Sequence, residues 1–193
     1  MIDALPQTPQ TGLRCALLGP GDAARLQDFY EANPAYFLLV SGRPANAGDA
    51  LEDILALPPS DWPLGGKYFL ACAKPDGAIV AVADILADLL APGVWHIGLF
   101  IVATERHGSG LAQQWLASLE DWALRNGGRY VRLGVVGSNA RALRFWQKSG
   151  FVQVKVRAGE VLGGVVHQLL VMVKPLAPAT MANYAELVPR DGP

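Results

Sequence analysis

Apolar positions follow two periods along the 193-residue chain. Continuous or β-branched apolar runs predict strands at Arg14 to Leu18, Lys67 to Lys74, Ile79 to Leu86, Val94 to Val102, Tyr130 to Val136, Phe151 to Arg157 and Val165 to Lys174. Elsewhere the spacing changes to three and four. Leu111, Trp115, Leu116, Leu119, Trp122 and Ala123 form one stripe that leaves Gln113, Glu120 and Arg125 for water. That pattern predicts a helix from Gly108 to Asn126, stopped by Gly127-Gly128. Shorter helices are predicted from an Asp22 cap to about Asn33, over Ala47 to Leu57 before Pro58-Pro59, and over Ser138 to Ser149. Pro34 to Pro44 is too interrupted by proline and glycine to predict a helix, and reads as a lid.

The order of elements is an antiparallel meander, with Pro75-Asp76-Gly77 as a hairpin turn, followed by strand, helix, strand, helix, strand, strand. The expectation is an α/β mixed sheet with about seven strands and about four helices. Residues 1–12, with Pro6, Pro9 and Gly12, read as a flexible leader, 13–176 as a single domain, and 177–193 as a C-terminal tail on the surface or on a partner subunit. Exposed strand edges and the apolar residues Met181, Tyr184 and Leu187 suggest a homodimer.

Composition narrows the function. The length suits one domain with a sizeable core. A net charge of -1 and a pI of about 6.3 supply no basic field for nucleic acid or an anionic membrane. The sequence has no run of about 18 apolar residues, and its N-terminus lacks the pattern of a signal peptide. Cys15 and Cys72 lie in apolar runs without CxxC spacing, which predicts buried reduced thiols, no metal site and a cytoplasmic setting.

Candidate chemistry lies in Ile97 to Ala112, an apolar strand that meets a helix through Gly108-Ser109-Gly110. The first amides of a helix have no internal partners and attract anions. The glycines remove side chains that would keep a phosphate from the backbone, and Arg106 and His107 add donors. Read alone, the segment is equally a flexible connection. It lacks the glycine-lysine-serine/threonine ending of an NTPase loop, and Gln113 stands where a dinucleotide fingerprint needs glycine or alanine. About thirty residues on, Asn139-x-x-Ala142-x-x-Phe145-Trp146-x-Lys148-x-Gly150-Phe151 forms a second patterned helix.

The two segments together resemble the GNAT superfamily, the Gcn5-related N-acetyltransferases. Their acetyl-CoA turn, Gln/Arg-x-x-Gly-x-Gly/Ala, is filled here by His107, Gly110 and Ala112. Their second signature, Asn-x-x-Ala-x-x-Phe/Leu-Tyr-x-Lys-x-Gly-Phe, is matched from Asn139 onward. The resemblance implies a sheet splayed between its fourth and fifth strands, with acetyl-CoA as co-substrate and no metal. It also implies a cofactor site of Phe100, Ile101, Val102, His107, Gly108, Ser109, Gly110, Leu111, Ala112, Asn139, Ala142, Phe145, Trp146 and Lys148. Backbone groups of Phe100 and Val102 would pair with the pantetheine arm. His107 replaces the usual glutamine or arginine. Trp146 replaces the tyrosine that many members use as general acid, and an indole N–H does not protonate a sulfur.

The acceptor would be an amine, which needs a base or a water chain to lose its proton. His96 is the first candidate, because it precedes Val102 by six residues, where similar proteins place a carboxylate, and strand parity puts it on the face of Phe100. Against this, a histidine within an apolar strand is more often a hydrogen-bonded structural residue. Asp84 and Asp88 come next, with Asp84 either facing outward or lining the acceptor pocket. Tyr36, Ser41 and Arg43 are candidates for binding the acceptor, Arg43 through a carboxylate. A non-catalytic acyl-CoA-binding module on the same fold is the alternative to an enzyme.

Overall fold

The computed structural model describes residues 4–8 and 10–192; Met1 to Asp3 and Pro9 of the leader, and Pro193 of the tail, lie outside them. The described residues form seven strands and six α-helices in one mixed sheet. The strands are β1 (Arg14–Leu17), β2 (Gly66–Ala73), β3 (Ile79–Ala87), β4 (Val94–Val102), β5 (Tyr130–Val136), β6 (Val152–Leu162) and β7 (Val165–Pro175). The helices are α1 (Ala23–Ala32), α2 (Pro34–Ser41), α3 (Asp49–Leu55), α4 (Leu111–Arg125), α5 (Ala140–Lys148) and α6 (Met181–Leu187). The spatial order of strands is β1-β2-β3-β4-β5-β7-β6, antiparallel except where β4 meets β5.

Two helices exceed the number read from sequence. In α2 the residues that read as breakers are its boundaries: Pro34 occupies the first turn, where its missing N–H costs nothing, and Gly42 closes the helix in the left-handed region at φ 66°. Strand β6 likewise runs past Arg157 to Leu162. A bulge with Gly159 at φ 77° carries the chain through, and Gly163-Gly164 make the turn into β7.

Each face of the sheet is covered differently. On one face, α4 and α5 bury Trp115, Trp122 and Trp146 against Trp95, Ile97, Val131 and Leu133. On the other, α1 to α3 cover Phe69, Val82, Leu99 and Ile101. The segment after Ala177 also folds onto this second face. Tyr184 and Val188 pack on Val94, Tyr130 and Val173, with Met181 and Leu187 beside them. The apolar residues expected on the surface or at a partner thus cover part of their own sheet.

Cys15 lies opposite Cys72 across β1 and β2, and both are free thiols. Cys72 is buried and Cys15 half-buried. Burial pushes the Cys15 thiol up to about 12 and the Cys72 thiol up to about 11, so both stay protonated. Among the described residues no helix is long and apolar enough to cross a membrane, and no His, Cys, Asp and Glu cluster is arranged to hold a metal ion.

Candidate active site

The parallel ladder between β4 and β5 is short. Val94 to Ile97 pair with Tyr130 to Leu133, and there the two strands part. Beyond that point β4 stays with β3, while Gly134 to Val136 stay with β7. A wedge opens between them.

Gly98 stands at its apex. Asp84 pairs with Leu99 and Ile85 with Ile97, so Gly98 is an extra residue, a β-bulge that turns the strand where it leaves β5. The bulge also changes side-chain parity. Trp95 and Ile97 face α4, yet so do Phe100 and Val102, while Leu99 and Ile101 face α1 to α3. His96 therefore faces away from α4, on the opposite face from Phe100, contrary to the parity expected from the sequence. A glycine inside an apolar strand was the available signal for a bulge.

The carboxyl half of β4 presents unpaired backbone to the wedge. Ala103 N–H donates to Val80 O, so by alternation Ile101 bonds toward β3, and Phe100 and Val102 direct their polar groups the other way. His107 Nε2 donates to Val102 O at 2.9 Å, which leaves the Val102 N–H and both backbone groups of Phe100.

Beyond β4 the turn has the expected geometry. Gly108 and Gly110 take φ of 82° and 83°, a conformation that excludes most side chains. No atom lies within 4 Å of where a Cβ at Gly108 would stand. Ser109 Oγ donates to Arg106 O and accepts from Leu111 N–H. The amides of Gly108, Gly110, Ala112 and Gln113 have no hydrogen-bond acceptor among the described residues. The Leu111 side chain enters the core, so only its backbone belongs to this rim. Four free amides at the end of a fifteen-residue helix form a cradle for an anion.

Asn139 caps α5, its Oδ1 accepting from Ala142 N–H at 3.0 Å. Two turns on, Trp146 packs edge-on against Phe100, Phe145 and Phe151 at 5.3, 4.9 and 5.1 Å between ring centroids. Lys148 is exposed at the far end of α5, outside both cavities described next.

Two cavities adjoin in the wedge. One, of about 310 Å³, runs from His107 and Ala112 along Phe100, Ile101 and Val102 to Phe145. The other, of about 360 Å³, lies over His96, Gly98, Arg132 and Arg157. Tyr36, Phe100, Asn139, Ala142 and Trp146 line both, so a molecule in one can meet a molecule in the other. Helix α2 and the β6–β7 hairpin roof the second cavity with Val40, Leu162 and Leu169. His167 Nε2 donates to Val40 O at 2.7 Å, and a side chain at Gly163 would collide with Ser41. Ser41 thus serves the roof, while Arg43 is held by Asp49 at 2.9 Å and lines neither cavity.

Below the second cavity is a buried polar cluster with no local signature in the sequence. Asp191 accepts from Arg132 Nε and Nη2 at 2.6 and 3.0 Å, from Tyr184 Oη at 2.7 Å and from Arg157 Nη2 at 3.3 Å. Arg132 Nη1 donates to His96 Nδ1 at 3.2 Å. Arginine only donates, so Nδ1 accepts and the imidazole proton resides on Nε2. Burial, aided by the Arg132 charge, depresses the His96 imidazole to about 3, which leaves it neutral at ordinary pH.

Asp84 lies behind Gly98. A methyl group on that glycine would stand 3.1 Å from Asp84 Oδ2, which Lys67 Nζ holds at 2.8 Å. Its Oδ1 is buried with no hydrogen-bond partner among the described residues. Burial raises its proton affinity, partly offset by Lys67. Asp88 accepts from Gly93 N–H at 2.6 Å in the β3–β4 turn and lines neither cavity.

Residues 26–151 match the family model described as the acetyltransferase (GNAT) family. No curated protein matches the sequence. Among solved structures, an acetyltransferase from Thermus thermophilus is 22% identical, with a TM-score of 0.65 over 85% of this chain and 97% of that one. Spermidine N-acetyltransferase from Vibrio cholerae, in complex with CoA and spermine, is 16% identical, with a TM-score of 0.65 over 86% and 96%. The ribosomal-protein-S18-alanine N-acetyltransferase from Escherichia coli is 15% identical, with a TM-score of 0.62 over 88% and 97%. At these identities the likeness is one of fold.

Proposed function

The chain belongs to the acetyltransferase (GNAT) family, and on that premise we propose that it transfers an acetyl group from acetyl-CoA to a primary amine by direct attack on the thioester. The observation that carries this reading is the pair of adjoining cavities in the β4–β5 wedge, one ending at His107 and Ala112, beside the free amides of Gly108, Gly110, Ala112 and Gln113. A pyrophosphate fits that cradle by charge and by the absence of side chains. The pantetheine arm runs along Phe100 and Val102 as an added strand, and Trp146 packs against it.

The amine enters through the second cavity. Its nitrogen bonds to the acetyl carbon, the carbon–sulfur bond breaks, and CoA leaves as the thiol. A backbone amide of β4 at the Gly98 bulge polarises the thioester carbonyl. His96 is a neutral N–H donor here, too weak a base at about 3 to store the amine's proton. Asp84 is the better base. It lines neither cavity, but its Oδ2 stands behind Gly98 and burial raises its proton affinity, so a water at the bulge would relay the proton to it. Trp146 supplies no proton, and water protonates the thiolate.

The experiment is thiol release from acetyl-CoA with a panel of primary amines, beside thermal denaturation with acetyl-CoA alone. Release above hydrolysis with at least one amine supports the reading. Stabilisation by acetyl-CoA with no amine acetylated would leave a binding module instead.

A further inference from the structure

We propose that the acceptor is an amine that also carries a carboxylate, and that Arg157 and the imidazole N–H of His96 hold that carboxylate in the second cavity. This deepens the acyl-transfer reading above and rests on it for the position of the amine.

Among the described residues, the ionisable ones lining the cavity are Tyr36, His96, Arg132 and Arg157, with no aspartate or glutamate. One carboxylate, Asp191, lies beneath the floor with its side chain fully buried. Its two oxygens already accept four hydrogen bonds, from Arg132 twice, from Tyr184 and from Arg157. Two guanidiniums against one carboxylate leave a surplus positive charge beside a cavity that is otherwise largely apolar. Such a charge in partly desolvated surroundings calls for a counter-ion.

The two arginines are not equally available. Arg132 spends Nε and Nη2 on Asp191 and Nη1 on His96, and its side chain is only 6% exposed. Arg157 makes one long hydrogen bond, 3.3 Å from Nη2, and its side chain is 21% exposed. The rest of its planar fork is unpartnered among the described residues, and that fork matches a carboxylate. His96 contributes a neutral donor on the same wall, since Nδ1 is occupied by Arg132 and the proton is on Nε2. A polyamine would bring further positive charge to this wall with no acid to receive it.

The probes are the twenty L-amino acids, their carboxamides and spermidine, titrated into protein saturated with CoA and followed by calorimetry. The same compounds are assayed for thiol release with acetyl-CoA. At least one amino acid should bind ten times more tightly than its carboxamide, and any turnover should show the same preference through KM. Arg157→Gln should shrink the acid-over-amide ratio at least tenfold, and Arg157→Lys should restore part of it. Binding of the acid without turnover would sink acetyl transfer but uphold the carboxylate site. Carboxamides or spermidine binding as well as the acids, or no acid binding at all, would overturn the proposal in the wild-type protein.

Discussion

Asp191→Asn tests the cluster on which the second cavity rests. The carboxylate is fully buried, and the principal partner it would abandon, Arg132, is 6% exposed. Removing the negative charge leaves that guanidinium buried and uncompensated, which costs about 3–5 kcal/mol. For a chain of this size that is a drop of roughly 10 °C in Tm. The variant also weakens the hold of Tyr184, and so the docking of α6. Urea denaturation at pH 7 reads the loss. Arg132→Met alone should also destabilise, while the double variant should lose about 2 kcal/mol less than the sum of the two. Burial pushes the Asp191 carboxyl up, but the hydrogen bonds and charge of Arg132, with Tyr184 and Arg157, outweigh this and hold it below the ordinary range. Its contribution is therefore complete above the unfolded value near 3.8 and fades as the pH falls through the folded one. The Asn variant should lack that acid-side loss. A cost under about 1 kcal/mol, with additive single variants, would refute a dry, coupled pair.

Further outcomes follow from the same geometry. Gly110→Glu should abolish acetyl-CoA binding in calorimetry, whereas Gly110→Asn, which tolerates positive φ, should retain most of it; equal binding by Glu would misplace the cradle. Asp84→Asn should lower kcat at least tenfold, about 1.4 kcal/mol or more, with acetyl-CoA affinity little changed, and unaltered turnover would remove Asp84 as base. His96 is held neutral when folded but protonates near 6.5 when unfolded, so stability should fall as the pH drops from 6.5 toward 3, by up to about 1.4 kcal/mol per pH unit. In His96→Gln that part of the slope should vanish; the same slope in both proteins would contradict an imidazole held neutral in the fold.

Much of this was legible where the information is local. The stripe from Leu111 to Ala123 and the glycines at 108 and 110 act within a few residues, and the folded chain keeps them as helix α4 and its positive-φ turn. Asn139 caps α5 as its type and position suggested. The boundaries of α2 were harder, because Pro34 and Gly42 look alike as breakers and as caps until the intervening Phe37 is seen to be buried. The Gly98 bulge is signalled only by a glycine in an apolar run, and without the bulge strand parity places His96 on the wrong face.

The floor of the second cavity could not be read at all. Arg132 and Asp191 are 59 residues apart, and nothing local to either marks them as partners. The sequence points to Arg43 as the arginine that meets the acceptor, but Asp49 at the start of α3 occupies it. Arg157 reaches the cavity only because β6 continues to Leu162 and folds back under α2.

The most direct measurement is a crystal structure of the chain with CoA bound. The pyrophosphate should lie over the amides of Gly108, Gly110, Ala112 and Gln113, the pantetheine arm along Phe100 and Val102, and the thiol at the junction near Gly98 and Trp146. CoA lying outside the β4–β5 wedge, or a pyrophosphate held away from those amides, would contradict it.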